Sequence, residues 1–418
     1  MLKNIFKFEF NNYWRNIDKN ILFGFFILFF LGLFFSFSST SSLAGERLNK
    51  TYYFFFSKHL IFTVLALLIM FVISAMETSL LKKIVIPFFI ISFLLLILVP
   101  IVGVEVKGAK RWLDLYLFRL QPIELLKPFF ILATVKILTL DKLKNSQVRY
   151  LFSFLLLVSV IILLIDQPDL GQSILLTGSW IATVFVSGVS IIYIFSFLLL
   201  ASVIILLIDQ PDLGQSILLI GSWIATVFIS GVSLVYIFGF FSIFFISIGC
   251  LLFLMPEKFS YIINRLVSFV DPTKGDKFQS SSALDAIKLG GLTGQGMGEG
   301  ILKERVPEAH TDYIIAIISE EYGSIISVFI ISIFLYISFR IIKNCVNNED
   351  QLIKISLCGL SSLLIFQTFI HVGVNTNLIP TTGMTLPFLS YGGSSLIGSA
   401  ILAGVILNYT KNRTYLYD

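Results

Sequence analysis

Apolar residues run in unbroken stretches along most of this chain, and polar residues are confined to short gaps between them. From Ile21 to Phe35 every side chain except two glycines is Phe, Leu or Ile, so the segment has neither the alternation of a half-buried strand nor the single stripe of a surface helix. Runs of about 20 apolar residues match the hydrocarbon thickness of a bilayer. Twelve spanning helices are expected on this pattern, at 19–38, 59–76, 83–104, 121–139, 150–166, 170–188, 190–208, 213–231, 233–255, 312–342, 352–376 and 385–409. The first run follows a polar, basic segment (Lys3, Lys7, Arg15, Lys19) and no small-residue cleavage site comes after it, so it is read as a first span and not as a removable signal peptide.

Composition narrows the class. The chain is 56% hydrophobic and 13% charged, against about a quarter charged in soluble domains, which excludes a water-soluble fold. Its net charge of +5 is spread over the gaps between apolar runs, a distribution that orients a membrane protein and does not suit nucleic acid. Cys250, Cys345 and Cys358 have no metal-like spacing and imply no disulfide framework.

Basic residues in short loops favour the cytoplasm. Lys82, Lys83, the segment from Lys142 to Arg149, Arg340 and Lys343 fall on the same side as the N-terminal tail, so both termini are expected there, with Lys411 and Arg413. The opposite side nevertheless carries Lys107, Lys110, Arg111, Arg119, Lys274, Lys277, Lys303 and Arg305. Longer loops escape the charge rule and solvated cations are common, yet a cluster on the translocated face also suits an anionic ligand.

The stretch from Ser153 to Phe195 returns as Ser196 to Phe238 with five substitutions. Such near-identity marks a recent tandem duplication of one helix pair and not an old structural repeat. Adding two spans leaves the sidedness downstream unchanged. Each copy carries Asp-Gln-Pro-Asp-Leu-Gly, in which Asp169 and Asp212 are read as helix N-caps without a catalytic role.

Four segments on the outer face carry the candidate chemistry. The first is Gly108-Ala109-Lys110-Arg111-Trp112-Leu113-Asp114, followed by Gln121-Pro122-Ile123-Glu124-Leu125-Leu126-Lys127-Pro128. Glu124 and Lys127 lie three apart on one helix face and are expected to pair, since unpaired ionisable groups at membrane depth are costly. The second is the duplicated acidic motif. The third runs from Gly290 to Gly323, GGLTGQGMGEGILKERVPEAHTDYIIAIISEEYG. Its glycines at 290, 291, 294, 296, 298 and 300 offer flexible backbone and N–H donors as in anion-binding loops. Lys303 and Arg305 follow, and the pair suits a diphosphate. His310-Thr311-Asp312 then opens an apolar helix, where Thr311 or Asp312 could equally be a cap. The fourth is NTNLIPTTGMTLPFLSYGGSS from Asn375 to Ser395, in which Pro380, Gly383 and Pro387 break a helix at depth, and Gly392 and Gly393 suit close helix approach as well as ligand contact.

Together these segments resemble the SEDS family of bacterial cell-wall proteins, and with one copy of the duplication set aside the likeness covers the whole remaining chain. Ile123 departs from the family's usual Ser and removes a hydroxyl from a helix start. The resemblance implies an all-α polytopic membrane protein with a SEDS-type helical bundle: a ten-helix core plus the duplicated pair at 153–195 and 196–238, and a large periplasmic loop at 256–311. It implies a single membrane domain over 1–418 in the bacterial inner membrane, working at the division septum, because the wording of the fourth segment favours the division branch over the elongation branch.

The activity implied is peptidoglycan glycosyl transfer, in which the 4-hydroxyl of lipid II attacks a growing glycan strand held through a diphosphate. The family's essential Asp matches Asp312, the expected catalytic residue. Arg111, Glu124, Lys127, Lys303, Arg305, His310, Ser390, Gly392 and Gly393 are the expected substrate-binding residues. A class B penicillin-binding transpeptidase and other division proteins are the expected partners. No cofactor is required by any motif, and Mg2+ or another divalent cation stays open, because no acidic cluster spells out a cage. A lipid II flippase and an inactive division scaffold are the alternatives; the first is disfavoured by the lack of an inverted repeat and by cations gathered on one face.

Overall fold

The computed structural model describes residues 10–40, 53–106, 109–116, 118–140, 146–165, 167, 175–177, 180, 183–184, 187, 278–302, 305–306, 309–378 and 385–411. They form ten α-helices and a small antiparallel sheet: α1 (Phe10–Asn16), α2 (Lys19–Phe35), α3 (Phe54–Ala75), α4 (Thr78–Val102), β1 (Val104–Val106), β2 (Ala109–Asp114), β3 (Arg119–Leu120), α5 (Pro122–Leu138), α6 (Ser146–Ile165), α7 (Phe278–Gly290), α8 (Ile314–Val346), α9 (Gln351–Asn375) and α10 (Gly393–Tyr409). Among the described residues five helices are long and apolar enough to cross a membrane, Lys19–Ser38, α3, α4, α8 and α9, with shorter apolar helices at Val148–Leu164 and Gly393–Tyr409. The spans expected between 190 and 255 lie outside the described residues, as do Asp169 and Asp212.

Helix α5 is the centre of the bundle, packed against α4, α6, α9 and α10. Its run from Phe129 to Val135 is buried all round, whereas α3 and α4 expose Ile61, Val64, Leu68, Ile91 and Leu94, as lipid-facing helices do. Glycine brings backbones together where two helices meet closely. A Cβ on Gly404 of α10 would stand 2.9 Å from Ile73 of α3, and one on Gly393 would stand 2.7 Å from the Phe62 ring.

One end of the bundle is tied by polar side chains. Arg340 of α8 meets Asp18, which caps α2, at 2.9 Å, and Lys82 of α4 meets Asp350, which caps α9, at 2.7 Å. Arg149 donates to the carbonyl of Leu138. Lys411 donates to the carbonyl of Met76 and lies over the ring of Tyr13, so the first and last described segments meet at this end.

Two elements differ from the sequence expectation. An antiparallel sheet pairs Val104 with Trp112 and Asp114 with Arg119 in a stretch expected to be loop, so the bundle is mixed at this edge. The last helix begins at Gly393 and not at 385, because Thr385–Gly392 is fixed in a turn: the Leu386 N–H donates to the Ser390 hydroxyl, and Phe388 adopts φ 67° with its ring packed on Phe25 and Phe29 of α2.

Candidate active site

At the end opposite these ties, three consecutive carbonyls ahead of α8 are each held by the C-terminal part of the chain. His310 O accepts from the Tyr391 N–H at 3.0 Å, Thr311 O from the Ser390 hydroxyl at 2.6 Å, and Asp312 O from the side-chain amide of Asn375 at 3.0 Å. Asn375 is fully buried. Its amide nitrogen also donates to His371 O, and its oxygen accepts from the Ala316 N–H at 3.1 Å. The first turn of α8 is thus capped from α9, 59 residues away in sequence. Asp312 itself stays half-buried.

Ser390 and Gly393, both expected to touch substrate, are engaged in packing here: Ser390 is buried with its hydroxyl bonded on both sides, and Gly393 makes room for Phe62. Gly392 lies just before α10 with its Cβ direction open except toward Ser395. The His310 ring joins Tyr391 and Phe55, each 5.7 Å away between centroids. Behind Tyr391 stands His59, fully buried, with neither ring nitrogen partnered among the described residues. His59 is not marked by sequence spacing, and Asn375, although it opens the fourth segment, acquires these neighbours only through the fold.

Ser394, one turn beyond Ser390, extends the network to the other motif. It accepts from the Gln121 N–H at 3.0 Å and donates to Arg119 O at 3.2 Å. A hydroxyl therefore still reaches the start of α5, from α10 in place of position 123. Three residues on, Glu124 and Lys127 form the expected ion pair at 2.9 Å, with their side chains 14% and 10% exposed. Pro128 has no N–H to give the Glu124 carbonyl, and Gly398 of α10 lies against that carbonyl, where a Cβ would come within 2.8 Å.

Arg111, half-buried on β2, donates from Nε to the carbonyl of Gln167 at 3.3 Å. The Gln167 side chain is buried and donates to Leu96 O of α4, so this residue of the first duplicated motif sits beside the basic strand. Lys110 and Arg305 are exposed. Lys303 lies outside the described residues, as do Lys107, Lys274 and Lys277.

The glycine-rich loop, expected to offer N–H donors to an anion, packs part of its backbone against α8. Helix α8 is broken at Gly323, which adopts φ 83°. The helix bonds lost there are replaced by the loop: the N–H groups of Ser324 and Ile325 donate to Gly291 O and Leu292 O, and those of Gln295 and Gly296 donate to Glu320 O and Glu321 O. A Cβ on Gly290, Gly294 or Gly323 would overlap the facing backbone. The N–H groups of Gly294, Gln295, Gly296 and Glu299 are therefore committed to protein carbonyls. The Glu320 carboxylate, buried in α8, accepts the Leu302 N–H at 2.6 Å and so tethers the segment that carries Arg305.

Among the described residues no three His, Cys, Asp or Glu side chains gather as a metal cage.

A family model described as cell cycle protein, FtsW/RodA/SpoVE, matches residues 18–209 and again 194–415, the two matches overlapping where the first copy of the duplication gives way to the second. The chain is 30% identical over 406 residues to a probable peptidoglycan glycosyltransferase FtsW of Caulobacter vibrioides, covering 97% of this chain and 92% of that one. It is 31% identical over 391 residues to the protein of the same name from Geobacter sp. (strain M18), covering 91% and 93%. Among solved structures, a chain of a peptidoglycan synthase complex studied for its coordination of polymerization and crosslinking superposes with a TM-score of 0.67 at 22% identity, covering 94% of this chain and 97% of that one. The rod shape determining protein RodA of Thermus thermophilus gives 0.58 at 22% identity, covering 94% and 96%. With its bundle shared by these structures and its sequence matched from end to end across the duplication, the chain belongs to the FtsW/RodA/SpoVE family of cell cycle proteins.

Proposed function

We propose that this protein is a peptidoglycan glycosyltransferase that polymerises lipid II into glycan strands during septal wall synthesis. The observation that carries the reading is the fixed backbone at His310–Asp312, which holds one half-buried carboxylate at the same end of the bundle as Arg111 and the Glu124–Lys127 pair. Asp312 acts as general base on the 4-hydroxyl of the incoming lipid II. The hydroxyl oxygen attacks the anomeric carbon of the strand, its bond to the diphosphate breaks with inversion, and the proton goes to the carboxylate. Arg111, Arg305 and Lys303 meet the charge that develops on the departing undecaprenyl diphosphate, with Lys127 poised by Glu124. Mg2+, which keeps several waters and binds chiefly through phosphate oxygens, would enter as a counterion brought by the diphosphate.

The end tied by Arg340, Lys82, Arg149 and Lys411 is read as cytoplasmic on the charge rule, which places Asp312 on the periplasmic face. The names of the curated relatives and the coupling of polymerization to crosslinking in the synthase complex support a class B penicillin-binding transpeptidase as partner at the septum. A liposome experiment separates the activities. Polymer formed from lipid II already in the accessible leaflet supports the transferase; transbilayer movement without polymer supports a flippase, and neither activity a scaffold.

A further inference from the structure

The clamp on Asp312 is made by a residue that neither the motif spacing nor the proposed chemistry assigns. Asn375 ends α9, is fully buried, and reaches three backbone groups: Asp312 O at 3.0 Å, His371 O at 2.7 Å and Ala316 N at 3.1 Å. Its amide satisfies one carbonyl of its own helix and one of the turn before α8, while its oxygen caps that helix. Both ends of the Asp312–Ala316 turn are therefore bound to one rigid side chain. The amide supplies two N–H donors and an acceptor at once, whereas a carboxylate supplies no donor and a hydroxyl only one. The neighbouring carbonyls His310 O and Thr311 O are held by the Tyr391 N–H and the Ser390 hydroxyl, and Asp312 O by Asn375 of α9.

We propose that Asn375 is a positioning residue for catalysis, setting the Asp312 carboxylate against the reacting hydroxyl without touching substrate. The proposal rests on the assignment of Asp312 as base. Displacement of a catalytic group by about 1 Å costs on the order of 100-fold in rate, so the signature is a loss in kcat.

The test uses full-length protein purified in detergent, with lipid II as substrate and the thermal unfolding midpoint read on the same samples. Asn375→Ala is expected to lower kcat about 100-fold with KM within roughly threefold of wild type. Asn375→Asp keeps the volume and the acceptor for Ala316 but sets a carboxylate oxygen against Asp312 O; it is expected to lose kcat likewise, which decides the matter if the alanine variant does not fold. In the Asp312→Asn background, Asn375→Asp is expected to remove no further activity, because a residue that acts through another is non-additive with it. Wild-type kcat in folded Asn375→Ala or Asn375→Asp, a loss confined to KM or to the folded fraction, or full additivity with Asp312→Asn overturns the proposal. Wild-type rates in the Asn375 variants beside an inactive Asp312→Asn sink this inference alone, whereas full activity of Asp312→Asn sinks the functional reading on which it rests.

Discussion

The hydroxyl of Ser394 on α10 accepts the backbone N–H of Gln121 at 3.0 Å, so the start of the central helix α5 is pinned to the same helix terminus whose preceding turn holds His310 and Thr311. Two motifs far apart in sequence thereby share one support. Removing a partner leaves a largely sequestered N–H unsatisfied, at a cost of about 1–3 kcal/mol. Ser394→Ala should lower the unfolding midpoint in detergent accordingly, and Ser394→Thr, which keeps the hydroxyl, should lower it less.

Gly291 and Gly294 both adopt positive φ, at 58° and 83°, but only Gly294 faces backbone, the carbonyl of Glu321. Gly291→Ala should cost about 1–2 kcal/mol for the left-handed conformation alone. Gly294→Ala must also push the loop off α8 and should cost clearly more. Unfolding midpoints of the two variants check this, and equal losses would mean that the loop does not need the close approach.

The Glu124–Lys127 pair is nearly sequestered, at 14% and 10% side-chain exposure. Leaving one charge of such a pair unpartnered costs about 3–5 kcal/mol, while replacing both with apolar or neutral groups costs much less. Lys127→Met should therefore destabilise the protein more than Glu124→Gln combined with Lys127→Met. A double-mutant cycle on unfolding free energies reads the coupling.

At the other end, burial works to raise the Asp350 carboxyl, and the hydrogen bond and charge of Lys82 with the N–H groups of Ile353 and Leu352 outweigh it, so the group sits below the ordinary carboxylate range. A folded-state value lower than the unfolded one means that the ionised form stabilises the fold. That contribution is fully present above the unfolded carboxylate value, about 3.9, and is lost as pH falls through the lower folded value. Asp350→Asn should flatten the acid limb of a stability-against-pH curve and leave its slope between neutrality and mild acid unchanged.

Much of the bundle is legible in the chain because apolar runs of spanning length leave little choice of structure, and the Glu124–Lys127 pair follows from helical spacing. The start of α10 is not legible in the same way. Thr385–Gly392 is largely apolar; Pro387 signals a break, but where the helix resumes is set by the bonds of Ser390 and Tyr391 to the turn before α8. The strands at 104–120 are too short for alternation to stand out. The glycines of 290–300 announce unusual backbone, but their partner is a break in α8 at Gly323, and a break of that kind is known only when both segments are seen together. Asn375 opens the fourth segment, but its contact with Asp312 is not legible for a similar reason, since the two lie 63 residues apart.

The most direct test is the initial rate of glycan polymer formation from lipid II by purified full-length protein, wild type against Asp312→Asn. Loss of a general base predicts a fall of about 10²–10⁴-fold in a variant that stays folded and monodisperse. Polymer made by Asp312→Asn at the wild-type rate would contradict the assignment of Asp312.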